Sequence, residues 1–319
     1  MSRLFVRTAE GARELPLAEC HAAMQAGGFL WLHLDGKSDD VDAIVAAAAD
    51  MPTPAVAALK AYETRPRGVQ FGDGALVNLR GLGVASAQED DDSLVSIRIW
   101  AQRGLAITLS YRPLTIFDRV VGRMLAGEFG DPGDLIVAFV MEITDALDPD
   151  ISDLGDELDR IESRVFDERQ TRERYKVAGL RAEAISYRRF LAPQRQALER
   201  IMQMQSSWLE ASDRLHLQEA ADRCARMAEE LEAVRERAAL VHEALTDLRA
   251  EHMNRQALIL AVVALIFLPL TFITGLLGMN VDGIPFAHYP WAFWGVVAFS
   301  LGIAALVGLW FKATHWLQR

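Results

Sequence analysis

The side chains of this sequence best suited to chemistry are amide and hydroxyl groups near its C-terminus. Gly278-Met279-Asn280 closes an uncharged stretch that also contains Thr271. If several copies of the chain surround an axis, the Asn280 carboxamides and the Gly278 and Met279 carbonyls present oxygen dipoles that can hold a hydrated cation. Thr271 adds a second ring of oxygens deeper in the stretch. The same tripeptide is also a common helix end, in which Gly278 terminates the helix and Asn280 caps it.

Two titratable residues follow the tripeptide, and they would attract cations to it. Asp282, repeated around the ring, would concentrate cations electrostatically, and His288 would add an imidazole, a ligand that zinc favours. The stretch before the tripeptide contains neither Cys nor His. We therefore expect no inner-sphere metal site in the path itself, so that a passing cation keeps its water shell.

Two uncharged stretches, residues 256–281 and 283–311, must position these groups. Each exceeds the roughly 20 residues that cross a bilayer core as a helix. The first span, Ala257–Leu277, carries a stripe of small or polar residues opposite a larger apolar face. This stripe would line an axial pore or make tight helix contacts, and the pattern alone does not separate the two. Its members, predicted to line the pore, are Asn254, Ala257, Ala261, Ala264, Leu268, Thr271 and Gly275.

The charges that flank the spans predict their orientation. The loop 278–290 contains no Lys or Arg, whereas Arg249, Arg255, Lys312 and Arg319 lie at the other ends of the two spans. By the positive-inside rule the loop faces outward and both termini are cytoplasmic. Because the N-terminus does not look like a secretory signal, we expect a multi-pass protein of the inner membrane.

The first 147 residues alternate short apolar runs with helical patterns, which is typical of an α/β domain. The pattern predicts a buried strand at Phe29–Asp35 and an antiparallel meander of three further strands. It also predicts four helices. The meander strands are Ala75–Val84, Leu94–Trp100 and Leu105–Ser110, and the helices are Asp40–Ala49, Pro54–Tyr62, Pro113–Ala126 and Pro132–Leu147.

Long helices are predicted from Asp148 onward, where charges become dense and Gly becomes rare. One starts at Asp148-Pro149-Asp150, a second runs from about Thr171 through Pro193, and Ser206–Ser212 breaks it from a third. The third helix carries a seam of apolar residues with three-four spacing, as in a coiled coil, and its small members favour assembly of several copies. The seam residues are Leu217, Ala220, Cys224, Met227, Leu231, Val234, Ala238, Val241, Leu245 and Leu248.

The composition excludes several classes of protein. The 33 Lys and Arg against 44 Asp and Glu give a net charge of −11, which argues against a nucleic-acid partner. Cys20 and Cys224 lack the spacing of a disulfide framework or a zinc site. No phosphate loop, nucleophile elbow or catalytic cluster is present, so we expect neither an enzyme nor a bound cofactor.

Three further groups of residues have both a functional and a structural interpretation. His33 and Asp35 would share one strand face, as a metal pair or, more commonly, as part of a solvated face. The acidic run from Asp145 to Glu162 would collect metal or simply solvate a helix start. The third group would make structural ion pairs or an anion pocket, and its members are Arg65, Arg67, Arg80 and Arg98.

Taken together, these motifs resemble the CorA superfamily of divalent-cation transporters, whose members carry Gly-Met-Asn at the end of the first of two C-terminal helices. The resemblance covers the whole chain. Within the superfamily the sequence looks like the ZntB zinc-transporter branch. The segments that carry this resemblance are Glu63-Thr64-Arg65-Pro66-Arg67, Leu79-Arg80-Gly81, Leu94 to Trp100, Leu191-Ala192-Pro193-Gln194-Arg195 and Leu268 to Asn280.

The resemblance implies a homopentamer. The partners of the chain would then be further copies of itself, the lipid bilayer and divalent cations. It implies transport of Zn2+, with Cd2+, Ni2+ and Co2+ as competitors and with coupling to protons as one mechanism. Leu276-Leu277 fits the zinc branch, whereas Met279 matches the magnesium branch, so the motif leaves the substrate open. The alternatives are a CorA-type magnesium or cobalt channel and, in a different class, a membrane-anchored coiled-coil scaffold.

The predicted fold is therefore α+β, with an N-terminal cytoplasmic α/β domain, a long helical stalk and two C-terminal transmembrane helices. The predicted boundaries are 1–147 for the α/β domain, 148–256 for the long-helix and stalk region, 257–277 for the pore-lining first transmembrane helix, 278–290 for the external loop, 291–311 for the second transmembrane helix and 312–319 for the cytoplasmic tail.

Overall fold

The computed structural model describes residues 2–38, 41, 51–62, 65–84, 93–164, 170–280, 284 and 289–313. The chain forms two compact units, Met1–His242 and Glu243–Arg319. The predicted helix at Asp40–Ala49 and the acidic loop Glu89–Asp92 lie largely or wholly outside the described residues. The predicted fold class, an α/β unit followed by long helices and two apolar helices, is confirmed.

A single mixed sheet of seven strands organises the described part of the first unit, in the order β2-β1-β3-β7-β6-β5-β4. The predicted meander is confirmed, since β5–β6 and β6–β7 are antiparallel, and β3 pairs with β7 in parallel. Three strands were not predicted, β1, β2 and β4. The strands are β1 Arg3–Thr8, β2 Gly11–Leu15, β3 Phe29–Asp35, β4 Arg67–Phe71, β5 Gly74–Leu82, β6 Leu94–Gln102 and β7 Leu105–Ser110.

Seven α-helices accompany the sheet in the described ranges. The predicted break between the second and third long helices is confirmed, because residues 203–210 separate α5 from α6. The helices are α1 Cys20–Ala26, α2 Thr53–Lys60, α3 Phe117–Leu125, α4 Pro132–Glu162, α5 Gln170–Met202, α6 Ala211–Leu277 and α7 Ala292–Ala313.

Two helix starts differ from the prediction. Helix α3 begins at Phe117 rather than Pro113, because Leu114 makes a bridge to Gly83 and so extends the sheet edge. Helix α4 continues through Pro149, where the sequence predicted a new helix. Its buried stripe continues across the proline from Leu147 to Ile151, and this burial outweighs the loss of one backbone hydrogen bond. Helix α4 therefore crosses residue 148, the predicted domain boundary.

Aromatic side chains fill the space between the sheet and the helices on one face. Trp31 on β3 stacks on Phe5 with ring centroids 4.7 Å apart and meets the edge of Phe139 on α4 at 5.8 Å. The Trp31 indole donates to the Thr108 hydroxyl at 2.9 Å. Helix α4 thus packs on the sheet through the aromatic side chain of a buried strand.

Helix α5 replaces a missing strand partner at the edge of the sheet. The β4–β5 ladder ends at the pair Arg67–Asn78, so β4 does not reach the Arg80 amide. The side-chain oxygen of Gln194, which is 2% exposed, accepts that N–H at 2.9 Å. The Arg80 guanidinium then lies over the Phe190 ring, 3.8 Å from its centroid. These contacts hold α5 against β5.

The seam of α6 packs within its own chain between Leu217 and Val241, where all eight seam residues are buried. Helix α4 lies close to it, since a Cβ at Gly155 would be 3.6 Å from a Glu230 carboxylate oxygen. Ion pairs flank the contact, among them Arg223 with Asp145 at 2.5 Å. The prediction that these residues join separate copies is therefore wrong, because their small side chains admit helices of the same chain.

Replacing Gln194 by Leu tests the contact between α5 and β5. The substitution keeps the side-chain volume but removes the acceptor of the Arg80 amide, so we expect a loss of about 1–3 kcal/mol in the free energy of unfolding. The measurement is urea unfolding of the full chain in detergent, followed by far-UV circular dichroism. Gln218→Leu, on the exposed face of α6, is the matched control; equal stability of the two variants would contradict the assigned role.

Candidate functional site

The tripeptide predicted to recognise a cation lies directly after the end of α6. The helix passes through Pro269 and ends at Leu277. The Gly278 amide still donates to the Thr274 carbonyl at 2.9 Å, so Gly278 closes the last turn. Met279 and Asn280 follow outside the helix and are exposed. The helix-end interpretation of Gly278 is thus correct, and it leaves the oxygens of the next residues available.

Two threonine hydroxyls on the last turns of α6 are tied to the helix backbone. Thr271 donates to the Phe267 carbonyl at 2.7 Å, and Thr274 donates to the Leu270 carbonyl at 2.9 Å. Because the hydroxyl proton is used in the helix, each oxygen presents only lone pairs outward. Such an oxygen accepts hydrogen bonds from the water shell of a cation.

Each helix of the second unit carries one partly buried face. On α6 its positions recur every three or four residues, and on α7 they recur at similar spacing. On α6 this face belongs to the larger apolar side that the sequence places opposite the stripe. The partly buried residues are Leu258, Val262, Ile266, Leu270 and Ile273 in the apolar part of α6 and Ala292, Val296, Val297, Ser300, Ile303, Ala304 and Val307 on α7.

The small-residue stripe lies on the other side of α6. At 3.6 residues per turn its centre is about 150° around the helix from the partly buried face of α6. All seven of its residues, from Asn254 to Gly275, are exposed in the single chain. A Cβ added to Gly275 would meet nothing within 4 Å. Within the single chain the stripe is therefore open to another copy of the chain, to an axial pore or to lipid.

The apolar parts of α6 and α7 are long enough to cross a membrane. In the most apolar 18 residues of each helix, none of the described side chains is buried within the chain. The large side chains of Leu260 and Phe272 are 70% and 71% exposed. A surface of this size and apolarity is not stable in water and is accommodated by lipid.

His33 does not take part in a metal pair with Asp35. Its Nδ1 makes a hydrogen bond of 2.9 Å with the Thr108 hydroxyl, which also accepts from the Trp31 indole. The ring packs on Phe117 with centroids 4.2 Å apart. Burial lowers the pKa of His33 to about 3, so the ring is neutral. The solvated strand face predicted for it is also wrong, because α3 covers that face.

The acidic run of α4 is largely used in contacts with other helices. Arg223 of α6 binds Asp145 and Asp148, and Arg237 binds Asp159 and Glu162. These pairs are partly exposed, and each contributes at most about 1 kcal/mol. Their charges raise the pKa of Arg237, chiefly through the hydrogen bonds to Glu162 and Asp159. The run thus orients α6 on α4, and it is not simply a solvated helix start.

The arginines of the sheet make backbone and ring contacts. Arg98, which is 1% exposed, donates to the Tyr62 carbonyl at 2.5 Å and lies over the Tyr111 ring. Burial lowers its pKa. Arg80 donates to the Leu94 carbonyl at 2.8 Å. Both guanidiniums therefore have structural contacts, and the anion pocket stays a prediction.

Asp282 and His288 lie outside the described residues, so their predicted roles remain predictions. Within the ranges that the structure does describe, no group of three or more His, Cys, Asp or Glu side chains is placed to hold a metal ion. What the site offers chemically is a set of neutral oxygens at the end of an apolar helix. Neutral oxygens act on a hydrated ion through its water.

An α/β unit followed by two membrane-length apolar helices defines an integral membrane protein with a large folded unit outside the bilayer. A family model described as CorA-like Mg2+ transporter protein matches residues 26–313. The chain therefore belongs to the CorA-like Mg2+ transporter family, which is a family of transporters.

Two relatives and one solved structure show how close the similarity is. The divalent cation transporter CmaX of Pseudomonas aeruginosa is 34% identical over 90% of this chain and 87% of its own. The zinc transport protein ZntB of Pectobacterium carotovorum is 32% identical over 90% of this chain and 88% of its own. The structure of full-length CmaX superposes with a TM-score of 0.80 at 30% identity, covering 99% of this chain and 97% of that one.

Replacing Gly275 by Leu tests whether the stripe lines a pore or a close contact between copies. The single chain has room for the side chain, so the protein should fold, but metal flux into liposomes should fall at least tenfold because the new side chain enters the shared space. Gly302→Leu on α7, where a Cβ also meets nothing, is the matched control and should keep its flux. Equal flux from both variants would place the stripe against lipid.

Proposed function

We propose that this protein transports divalent cations, zinc foremost, through an axial pore formed by several copies of the chain, a pentamer by family resemblance. The observation that carries the proposal is the position of the stripe. It runs along α6 to the Gly278-Met279-Asn280 tripeptide, opposite the partly buried face of the helix, and is exposed in the single chain. The membership of the chain in a transporter family supports the same conclusion.

A path for ions requires more than one chain. A membrane-spanning helix satisfies its backbone hydrogen bonds internally and offers no water-filled passage by itself. Residues 256–281 also carry no charged side chain that could bind an ion in a dry environment. Several copies of α6 around an axis would bring the stripes together, and their small side chains would leave room for a hydrated ion.

Recognition in this proposal is outer-sphere. Asn280 carboxamides and the carbonyls of Gly278 and Met279 would accept hydrogen bonds from the water shell at the outer mouth. Thr271 would do so again deeper in the path, since its hydroxyl proton is used by Phe267. Asp282 and His288 would raise the cation concentration at the mouth. Because water is the group recognised, we expect weak selectivity, with Cd2+, Ni2+ and Co2+ competing with Zn2+ and no resident cofactor.

The names of the relatives support a divalent cation and leave the particular ion to experiment. The relatives called ZntB are zinc transport proteins, and the relative called CmaX is a divalent cation transporter. The second candidate function is accordingly a CorA-type magnesium or cobalt channel, which Met279 in the tripeptide favours. A membrane-anchored scaffold would make no use of the oxygens that end the stripe.

The membrane potential alone is a sufficient driving force. It contributes about 2.3 kcal/mol per charge per 100 mV, and therefore twice that for a divalent ion. Proton coupling would need titratable groups outside the uncharged span, of which Asp282 and His288 are the nearest on the loop side. We place the protein in the inner membrane with both termini cytoplasmic, on the distribution of Lys and Arg around the spans.

Replacing Asn280 by Ala separates a transporter from a scaffold. We expect loss of at least nine-tenths of the metal flux into liposomes, because the ring of carboxamides is removed, with no change in the oligomer seen by size-exclusion chromatography. Ser300→Ala, on the partly buried face of α7, serves as the control. If Asn280→Ala transports normally, the tripeptide does not recognise the ion.

The choice between zinc and magnesium is tested by uptake of each ion into liposomes that contain the purified protein, with and without an inward proton gradient. Zinc uptake that increases with the gradient supports the zinc transporter with proton coupling. Magnesium uptake that follows the voltage alone supports the channel. Strict exclusion of cobalt, nickel and cadmium would contradict outer-sphere recognition.

A further inference from the structure

The connection between α5 and α6, residues 203–210, is held by the sheet on one side. The carboxylate of Asp73, in the turn between β4 and β5, accepts hydrogen bonds from the Ser207 amide and the Ser207 hydroxyl, both at 2.6 Å. The Asp73 carbonyl accepts from the Trp208 indole at 2.6 Å. These bonds fix the corner from which α6 starts.

The same corner meets the start of α4 on its other side. A Cβ added to Gly133 would overlap the Asp213 carboxylate and would lie 2.7 Å from the Trp208 carbonyl oxygen. The Asp131 carboxylate oxygen is 3.1 Å from the same point. Glycine at position 133 is therefore what allows two carboxylates, one from each helix start, to meet.

Both carboxylates also accept backbone hydrogen bonds at these helix starts. Asp131 is the N-cap of α4 and accepts the Asp134 amide at 3.1 Å. Asp213, which is 3% exposed, accepts the Glu210 amide at 2.8 Å. These bonds favour the ionised carboxylates, whereas burial and the neighbouring acids oppose ionisation.

The charges that face Asp213 are mostly negative. From α4 they are Asp131 and Asp134, and from the connection Glu210. The adjacent Arg214 directs its guanidinium to the carbonyls of Met202 and Met204 instead, and Asp73 is bound to Ser207. Burial, followed by these acids, raises the pKa of Asp213 to about 6, and burial also raises the pKa of Asp131.

We propose that this corner is a proton-sensitive joint, in which protonation of Asp213 fixes the start of α6 against α4 and ionisation loosens it. Protonation of Asp213 removes its repulsion with Asp131, Asp134 and Glu210 and also removes the cost of burying its charge. The joint lies within the first unit of the chain, so this inference stands whether or not the proposed transport function is correct.

The direction of the pH dependence follows from proton linkage. The pKa of Asp213 is higher in the folded chain than its ordinary value of 3.8, so the folded state holds the proton more tightly than the unfolded state. The stabilisation is complete below about pH 4 and is lost as the pH rises through about 6. Near neutral pH the joint is in its looser form, and acidification tightens it.

Hydrogen exchange of the full chain in lipid nanodiscs tests the proposal. The exchange rates of the backbone amides of residues 203–214 are measured at about pH 5 and about pH 7.5. After correction for intrinsic exchange rates, we expect protection about tenfold higher at the lower pH. Asp213→Asn keeps the acceptor for the Glu210 amide and should make the protection of this segment independent of pH. Glu219→Gln, on the exposed face of the same helix, should behave as the parent protein does.

A second variant keeps the test decisive if Asp213→Asn does not fold. Asp131→Asn retains the cap of α4 but removes the facing charge, so the pH at which protection changes should move downward. A downward shift supports the joint. If no variant that folds changes the pH dependence of protection, another group titrates and the proposal is overturned.

Discussion

Helix α6 has to be stable in two different surroundings, and the rest of the structure depends on how its side chains meet that constraint. Between Leu217 and Val241 its apolar seam is buried by helices of the same unit. In the second unit its apolar side chains are exposed on most sides of the helix. Because every backbone group between the ends of a helix is paired internally, one uninterrupted helix can serve both surroundings with a change of side chains alone.

The way that α6 is buried determines which of its surfaces remain for other copies of the chain. Helix α4 and helix α5 occupy the seam, and the ion pairs of Arg223, Arg188 and Arg237 flank it. In the second unit, Val262 and Ile266 belong to a partly buried face of α6. The stripe from Asn254 to Gly275 lies on the other side of the helix and is exposed. This surface has small, uncharged side chains and is not covered within one chain. Such surfaces favour the association of helices in a bilayer.

The first unit in turn fixes the point at which α6 begins. Asp73 and Gly133 approach the α5–α6 connection from opposite sides, one from the sheet and one from α4. Gln194 holds the preceding helix against β5. The exposed ion pairs along α4 contribute little energy each, so the buried contacts carry the stability of this arrangement, and the ion pairs select one register between the helices.

The sequence by itself determined the elements whose signal is local. The four central strands, the break near residue 206, the long helix into the first span and the exposed stripe all follow from runs and spacings of side chains, and so did membership of the family. Strands β1, β2 and β4 were not predicted. Strands β2 and β4 are short and mostly not buried, and β1 contributes an apolar run of only three residues, Leu4 to Val6.

The tertiary structure alone decided what each apolar face touches. The seam of α6 has a coiled-coil pattern, which does not distinguish a second copy of the chain from α4 and α5. His33 has the sequence neighbours of a metal ligand, but Thr108 and Phe117 bind it. The meeting of Asp131 and Asp213 has no sequence signal, because it depends on the close approach of two helix starts far apart in the chain. Spacing along the chain fixes which side chains share a face, whereas packing fixes their surroundings, and with them their charge and chemistry.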